Sequence, residues 1–491
     1  EIRGQIVNDE TVIVTFPLSG QQEVPAVETA ATGYAYAAVD QTDYHLTLTV
    51  RTTGVDDATM AHIHTGRVGT NGDVLVGLEA AEEDGVWLIP AETMIDEATF
   101  NVLTGGGHYV NVHTPEYPSG ELRGQILTDN FVLATFDLSG QQEVPMVNTQ
   151  ASGDGYALIN TDDYRVEVVA VTNGVDFATM AHIHTGRIGN NGDVLVGLVQ
   201  SANDLGTWMT PEDTQIDEAT FAVLASGGHY VNVHTPDNPG GELRGQILTD
   251  NFVLATFGLS GAQEVPAVTT MASGDGYALV NTDDYTLELV ALTEGVDDAT
   301  MAHIHTGRVG INGDVLVALE QDMTNPGKWV TPDETLLDAD IFAVLASGGH
   351  YVNVHTPANP GGELRGQIIS SDDFALLTFP LSGAQEVPAV ATTATGDGYA
   401  LVALSDYSLE LQVLTSGVAD ATAAHIHTGI AGENGPVLLG LEQDADNVNR
   451  WMAPADAALT QSIFAVLAAG GHYVNVHTPA FPGGEIRGQI E

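Results

Sequence analysis

Histidines carry most of this chain's capacity for metal chemistry. The sequence of 491 residues contains 17 histidines, and all except His45 lie in two motifs that each occur four times. Every AHIHTG motif supplies two histidines, and every GGHYVNVHT motif supplies two more. The sixteen candidate metal ligands are His62, His64, His108, His113, His182, His184, His229, His234, His303, His305, His350, His355, His425, His427, His472 and His477.

Strand geometry predicts which of the four histidines in a repeat can meet. His62 and His64 are two residues apart, so on a β-strand they project from the same side and could grip one ion. His108 and His113 are five residues apart and would lie on opposite sides of a regular strand. We expect His113 to join the pair, because it shares its side with a tyrosine and an asparagine, whereas His108 shares its side with two valines. Only a bulge in the strand would bring His108 to the same place.

A ligand set of imidazoles without thiolates favours Cu(II), Zn(II) or Ni(II), and copper is the first choice and zinc the second. Calcium prefers oxygen ligands, so it could bind only at acidic turns, where solvated surface is the better interpretation. Those turns contain the pairs Asp162-Asp163, Asp283-Asp284 and Asp372-Asp373. The alternative to a metal site is a polar core in which the histidines hydrogen-bond one another, Asn111 and backbone carbonyls.

Other polar residues of the repeat have weaker claims to chemistry. Glu23, in the motif QEVP, could fix the tautomer of a histidine, or it could simply precede a proline that ends a strand. Arg123 could orient an anion, but a contact with Glu121 two residues away on the same strand face is the better interpretation. No nucleophile–base pair, phosphate loop or cofactor fingerprint occurs, so we predict no catalytic residue and no organic cofactor.

A second set of arginines follows the AHIHTG motif. Arg67, Arg187 and Arg308 could guide an anion toward the histidines, but the fourth repeat has Ile430 at this position. A function common to all four repeats therefore cannot depend on this arginine.

The fourfold repetition predicts the domain organisation. The AHIHTG motif begins at Ala61, Ala181, Ala302 and Ala424, and a period of 120–122 residues is too long for a solenoid unit. Each repeat should therefore have its own core. We place the domains at residues 10–127, 128–248, 249–369 and 370–491, after a segment at residues 1–9 that repeats the closing strand of a domain.

Each repeat shows the period-two alternation of β-strands, for example in Thr11–Phe16 and Tyr44–Val50. One short helix is expected at Asp96–Thr104, where the aspartate can cap the start and glycines follow the end. The fold class is therefore all-β: four tandem antiparallel β-sandwiches with Greek-key connections, like those of superoxide dismutase and immunoglobulin domains, each with one short helix.

The ends of the repeats suggest how the domains are joined. Only Thr128–Asn130 separates the last strand of the first repeat from the first strand of the second, which predicts a stiff joint and a rod. Glu1–Ile6 has the same sequence as Glu485–Ile490, the closing strand of the fourth repeat. An isolated strand must pair somewhere, either with a preceding domain or with a neighbouring molecule. Both interpretations predict head-to-tail continuation, and the second predicts self-association.

Composition excludes several classes of function. Twelve basic residues against 66 acidic ones give a formal charge of −54, which excludes nucleic acid and anionic membrane surfaces as main partners. No apolar run is long enough to predict membrane insertion. Cysteine is absent, so disulfides and thiolate metal sites are excluded. Acidity of this degree is typical of proteins in salty or cation-rich surroundings and favours an extracellular or cell-surface location.

The order of motifs, GxQEVP, AHIHxG, GxxYVNVHT and GE(L/I)RGQI, resembles that of the CHRD domain family over almost the whole chain, four times. The resemblance implies a secreted β-sandwich that often occurs in tandem. In chordin such modules accompany cysteine-rich domains that bind growth factors; this chain has no cysteine, so that role is not expected here.

Together these features predict a structural extracellular protein, a rod or head-to-tail filament with one histidine metal site per domain. One alternative is a copper metalloenzyme that acts on a small oxygen species, because His-X-His on a sandwich strand resembles copper-zinc superoxide dismutase. The acidic zinc-site stretch, the disulfide and the second metal set of that enzyme are missing, so no enzymatic activity is expected. The other alternative is an adhesin or ligand-binding tandem module.

Overall fold

The computed structural model describes residues 10–55, 57–175, 177–370, 373–418 and 420–490. The expected strand Glu1–Ile6 and Asp372 lie outside the described residues. The chain divides into two compact units, Glu1–Asn251 and Phe252–Glu491, and each unit contains two of the sequence repeats.

The first repeat consists of nine strands and one helix, in which every strand pairing is antiparallel. Its elements are β1 (Thr11–Leu18), β2 (Thr32–Asp40), β3 (Leu46–Thr53), β4 (Met60–Thr65), β5 (Val74–Gly77), β6 (Glu79–Ala80), β7 (Val86–Leu88), α1 (Glu97–Thr104), β8 (His108–His113) and β9 (Leu122–Gln125). The strands form a five-stranded sheet in the order β1-β2-β3-β7-β6 and a four-stranded sheet in the order β5-β4-β8-β9. Because β3 pairs with β7 and β4 with β8, the chain crosses between sheets as in Greek-key folds.

The other repeats keep this order of elements. The second contains β10 (Phe131–Ser139), β11 (Ser152–Asn160), β12 (Val166–Asn173), β13 (Met180–Thr185), β14 (Val194–Gly197), β15 (Val199–Gln200), β16 (Thr207–Met209), α2 (Glu218–Ala225), β17 (His229–His234) and β18 (Leu243–Gln246). The third contains β19 (Phe252–Ser260), β20 (Ser273–Asn281), β21 (Leu287–Glu294), β22 (Met301–Thr306), β23 (Val315–Ala318), β24 (Glu320–Gln321), β25 (Lys328–Val330), α3 (Ala339–Ala346), β26 (His350–His355) and β27 (Leu364–Gln367). The fourth contains β28 (Phe374–Ser382), β29 (Thr395–Ala403), β30 (Leu409–Ser416), β31 (Ala423–Thr428), β32 (Val437–Gln443), β33 (Arg450–Met452), α4 (Gln461–Ala468), β34 (His472–His477) and β35 (Ile486–Ile490). Its strands close into a barrel.

Each repeat encloses its own apolar core. In the first, β1 buries Val14, Phe16 and Leu18 while the residues between them face outward, which is the alternation the sequence shows. The inner face of the second sheet adds Ile63 and Val110 to the same cluster. Equivalent clusters fill the other three repeats. The all-β tandem fold predicted from the sequence is confirmed.

The helix of the first repeat begins and ends where the sequence predicts. Asp96 stands at the N-cap of α1, and its carboxylate accepts a hydrogen bond of 2.8 Å from the backbone N–H of Thr99. Gly106 then adopts a positive φ of 73°, which stops the helix at little cost because glycine has no Cβ. Among the described residues, no helix has both the length and the apolar character needed to span a membrane.

Within the first unit, the second domain packs directly against the first. Val68, from the loop after β4, lies in an apolar cluster with Tyr156, Leu158 and Val169 of the second domain. The Tyr156 hydroxyl donates a hydrogen bond to the backbone carbonyl of Glu23. The joint between the two domains is therefore a packed interface as well as a short connection.

The second unit repeats this interface between its own two domains. Val309 packs with Tyr399 and Leu401, and the Tyr399 hydroxyl donates a hydrogen bond of 2.6 Å to the carbonyl of Glu264. The same type of contact is therefore present within each unit.

Candidate metal site

On the outer face of the sheet β5-β4-β8-β9, polar side chains from several motifs of the repeat lie side by side in a grid. On this face β4 contributes His62 and His64, and β8 contributes Asn111 and Tyr109 as their cross-strand partners. The next strand, β9, contributes Arg123, the partner of Asn111, and Gln125, the partner of Tyr109. Two-residue periodicity thus places three separate sequence motifs side by side.

Three histidines meet at one end of this grid. The ligand atoms of His62, His64 and His113 all lie within 4.8 Å of one another. His62 Nδ1 and His113 Nε2 are 3.1 Å apart and form a hydrogen bond in the absence of metal. The same distance is close to the separation of about 3.3 Å between two nitrogens on one tetrahedral ion. His62 and His64 are half-buried and His113 is buried, so the cluster lies at the edge of solvent. These three residues could hold a metal ion and would leave an outer coordination position free.

Backbone carbonyls fix the tautomers of two of the three imidazoles. His64 Nδ1 lies 2.9 Å from the carbonyl oxygen of Gly72, and His113 Nδ1 lies 3.1 Å from that of Pro118. A carbonyl can only accept, so in the neutral ring each Nδ1 carries the proton and each Nε2 presents a lone pair. His64 Nε2 is buried and finds no hydrogen-bond partner among the described residues. Nε2 lone pairs directed by Nδ1–H···O=C bonds are the usual arrangement of metal-binding histidines.

Burial also favours the neutral form of two of these rings. Desolvation lowers the pKa of His62 and of His113, and the neighbouring histidines lower the pKa of both further, although the bond to the Pro118 carbonyl raises that of His113. A neutral imidazole is the form that binds a metal ion, so burial favours the ligand form of both rings.

His108 lies apart from this cluster. It pairs with Thr65 at the far end of β8 and shares the core-facing side of the strand with Val110 and Val112. The strand is paired regularly with β4 from His108 to His113, and the bulge in this sheet lies between β4 and β5 instead. The structure therefore brings His113, and not His108, to the pair on β4.

The same triad forms in every repeat. The other groups are His182, His184 and His234; His303, His305 and His355; and His425, His427 and His477. His229, His350 and His472 take the position of His108 and are outside these groups. In the described part of the chain, no other set of three or more histidine, cysteine or carboxylate side chains is close enough to share one ion. The acidic turns form no such group among the described residues.

A stack of three side chains supports His64. Its ring lies nearly parallel to that of Tyr109, with ring centroids 5.0 Å apart. The guanidinium carbon of Arg123 lies over the Tyr109 ring, 3.6 Å from its centroid. Arg123 is buried and donates to the carbonyls of Arg67 and Thr70 and to Gln125. It therefore holds the loop that carries Gly72, the carbonyl partner of His64.

The expected contact between Glu121 and Arg123 is wrong. Glu121 directly precedes β9, and its carboxylate accepts hydrogen bonds of 2.7 Å from Thr29 and from Thr114. Arg123 reaches loop carbonyls instead, because its long side chain extends along the sheet and over the ring of Tyr109. Its guanidinium is buried and bonded to acceptors of the protein itself.

Glu23 is buried beside the site but does not touch a histidine. One carboxylate oxygen accepts a hydrogen bond of 3.2 Å from Asn111, and the other is buried without a partner among the described residues. Burial raises the pKa of Glu23 to about 7, although the charge of Arg123 and the bond from Asn111 act in the opposite direction. The proposed tautomer-fixing role is therefore wrong, since the carbonyls of Gly72 and Pro118 perform it.

Two of the arginines after AHIHTG contribute to the domain interface within their own unit. Arg67 Nε donates to Glu167 of the following domain at 2.6 Å, and Arg308 forms an ion pair with Glu410 in the second unit. The guanidinium groups of these two residues are therefore engaged by carboxylates.

The partners that position the triad were not predicted from the sequence. Gly72 and Pro118 act through backbone carbonyls, which leave no mark in residue identity. Tyr109 could have been found, because it lies on the same side of its strand as His113, four residues away. An aromatic ring at that spacing predicts a neighbour for an imidazole on the paired strand.

Comparisons with known proteins agree with this repeated architecture. The family model of the CHRD domain matches residues 14–126, 134–247, 255–368 and 377–490. Chordin of Xenopus laevis is similar, with 28% identity over 157 residues, which cover 29% of this chain and 16% of chordin. The matched region is thus a small part of that relative's length.

Proposed function

Because the chain belongs to the CHRD domain family, we propose that it is a structural extracellular protein whose four domains each bind one transition-metal ion. The relative chordin matches only in part, and the chain has no cysteine, so the proposal rests on the geometry of the repeats. The observation that carries it is the triad of His62, His64 and His113. Its three nitrogens converge, and two of the rings have their Nδ1 atoms tied to carbonyls.

The donor chemistry supports copper first and zinc second. Three neutral imidazoles suit both metals, and Cu(II) is bound more tightly than Zn(II) by a given nitrogen site. A closed structural zinc site has four protein ligands, whereas this triad supplies three at the edge of solvent. The ion would tie β4 to β8 and to the loops that end at Gly72 and Pro118.

The test is a metal titration of the full chain after chelation and dialysis. We expect about four Cu(II) or Zn(II) ions per chain, and three when His62 and His64 are both replaced by alanine. His45→Ala is the matched control, because His45 is the one histidine outside the motifs. A chain that retains no metal, or a double variant that still binds four ions, would sink the proposal. Turnover of superoxide by the loaded protein would favour the metalloenzyme alternative.

The second part of the proposal is head-to-tail self-association. In the second domain, Tyr156 is buried by the first domain, but the equivalent Tyr36 of the first domain is 53% exposed, and Tyr34 beside it is 61% exposed. At the other end, Ile430 of the fourth domain, the counterpart of Arg67, is also exposed. Arg67 bonds to Glu167 at the interface between the first and second domains. At a contact between two copies of the chain, the equivalent positions would be Ile430 of one copy and Thr47 of the other, which are uncharged. An end-to-end contact between copies would therefore bury no unpaired charge here.

Sedimentation of the full chain tests this contact. With −54 charges per chain, association should appear as salt or divalent cations screen repulsion. Replacing Tyr34 and Tyr36 by aspartate should leave monomers, whereas Phe177→Asp, another exposed aromatic outside the strands, should associate like the wild type. A wild-type chain that stays monomeric at high salt would contradict the proposal.

A further inference from the structure

A methionine lies beside the histidine cluster in the first three domains. Met60 begins β4 and is on the same side of the strand as His62 and His64, because the three are spaced two residues apart. It is the direct cross-strand partner of His113. Directly opposed residues in an antiparallel pair have Cβ atoms about 4.5–5.5 Å apart, so Met60 adjoins two of the three ligands.

The methionine is exposed at the surface of the sheet and lies outside the apolar core of its domain. Met60 is 47% exposed, and Met180 and Met301 are each 48% exposed at the same position of their domains. Each again opposes the last histidine of its triad, His234 or His355. The fourth domain has Ala423 at this position, opposite His477. Three domains therefore carry a thioether next to the triad and one carries only a methyl group.

We propose that Met60, Met180 and Met301 supply a thioether ligand that makes the first three sites bind Cu(I), while the fourth site lacks it. This inference rests on the proposed metal site and extends it to a second oxidation state. Thioethers are soft ligands that select Cu(I), whereas imidazoles alone serve Cu(II) and Zn(II) as well. The methionine side chain has three rotatable bonds, so its sulfur can reach the coordination position that the triad leaves toward solvent.

The consequence is a chain with two classes of site. Three sites, with one sulfur and three nitrogens each, would bind Cu(I) tightly. The fourth, with three nitrogens, would hold Cu(II) or Zn(II) and bind Cu(I) more weakly. No change in the histidines is required, because the difference lies entirely at the first residue of the strand.

The experiment is an anaerobic titration of the metal-free full chain with Cu(I), in competition with a chromogenic Cu(I) chelator. We expect three tight sites and one weaker site. Replacement of partners outside the coordination sphere already costs about 10–100-fold in metal affinity, so loss of a direct ligand should weaken a site at least about tenfold. Met60→Ala should therefore give two tight and two weaker sites, and Ala423→Met should give four tight sites.

Two controls separate this inference from the proposed metal site. Met94→Ala removes an exposed methionine elsewhere and should leave three tight sites. Zn(II) should still bind at about four sites in Met60→Ala, which also shows that the variant is folded. If the wild type has four equal Cu(I) sites, or Met60→Ala titrates like the wild type, the thioether is not a ligand although the histidine site stands. If neither Zn(II) nor copper binds, the metal site itself is wrong and the inference falls with it.

Discussion

The histidine cluster and the arginine network share one face of one sheet but differ in how their polar atoms are satisfied. Arg123 is buried and its guanidinium donates to Arg67, Thr70 and Gln125 while it covers the ring of Tyr109. In the histidine cluster, His64 Nε2 is buried with no partner among the described residues. Burial of polar groups is therefore not itself a sign of function. A satisfied network holds the fold, whereas an unpartnered lone pair among converging imidazoles indicates a ligand.

The largest effect is expected from loss of the satisfied network. Arg123→Ala removes a buried charge opposite Glu23 and leaves several loop carbonyls without a donor. We expect the first domain to lose about 3–5 kcal/mol of its free energy of unfolding, the usual result of breaking a buried charge arrangement on one side. Denaturant unfolding followed by domain-specific hydrogen exchange would measure it. Arg51→Ala, at an exposed ion pair with Glu83, should change stability by less than about 1 kcal/mol. Equal effects of the two variants would contradict the distinction.

Glu23 predicts a pH dependence of stability. Its pKa is raised to about 7 in the folded domain. At pH values above the ordinary pKa of a glutamate, the folded state therefore binds more protons than the unfolded state. The contribution of this group to stability is fully present at acidic pH and is lost as the pH rises from about 4.5 to about 7. The loss amounts to about 3 kcal/mol in the free energy of unfolding. The neighbouring histidines have lowered pKa values and act in the opposite sense, so the difference between wild type and Glu23→Gln isolates the carboxyl.

The measurement is the free energy of unfolding of both proteins, without metal, from pH 4.5 to pH 8. Glu23→Gln should gain stability relative to the wild type as the pH rises, because an amide carries no charge to desolvate. Glu83→Gln, on an exposed side chain, is the control and should show no such trend. A difference between Glu23→Gln and the wild type that stays constant with pH would show that the buried carboxyl does not titrate in this range.

The histidine cluster should affect stability mainly through its metal. His62→Ala combined with His64→Ala should abolish binding in the first domain and with it the stabilisation by mass action, about 2.7 kcal/mol at a metal concentration 100 times the dissociation constant. In the presence of a chelator, the double variant should melt close to the wild type. If the chelator leaves the wild-type melting temperature unchanged, the histidines are polar groups of the fold and the contrast with Arg123 disappears.

The sequence was sufficient for features set by local periodicity. The alternation of β4 and β8 placed His62, His64 and His113 on one face, and Asp96 marked the start of the helix. It was not sufficient for contacts made by long side chains and by backbone atoms. The loop carbonyls that accept hydrogen bonds from Arg123 lie more than 50 residues away in the sequence. The carbonyl of Gly72, which accepts from His64, has no sequence signature. Residue types predict such contacts only once the tertiary fold is known.

The smallest effect is expected at His108, the histidine of the motif that faces the core. Its Nδ1 is buried and unpartnered among the described residues, as His64 Nε2 is, but no other ligand atoms converge on it. His108→Ala should therefore leave metal binding intact and cost about 1 kcal/mol, since the lost packing is partly offset by removal of an unsatisfied polar atom. His113→Ala should instead abolish binding in the first domain while the metal-free protein changes little. Metal titration of the two variants tests this expectation. Loss of binding in His108→Ala would mean that a buried nitrogen without a hydrogen-bond partner identifies a metal ligand, and that the convergence of several ligand atoms does not.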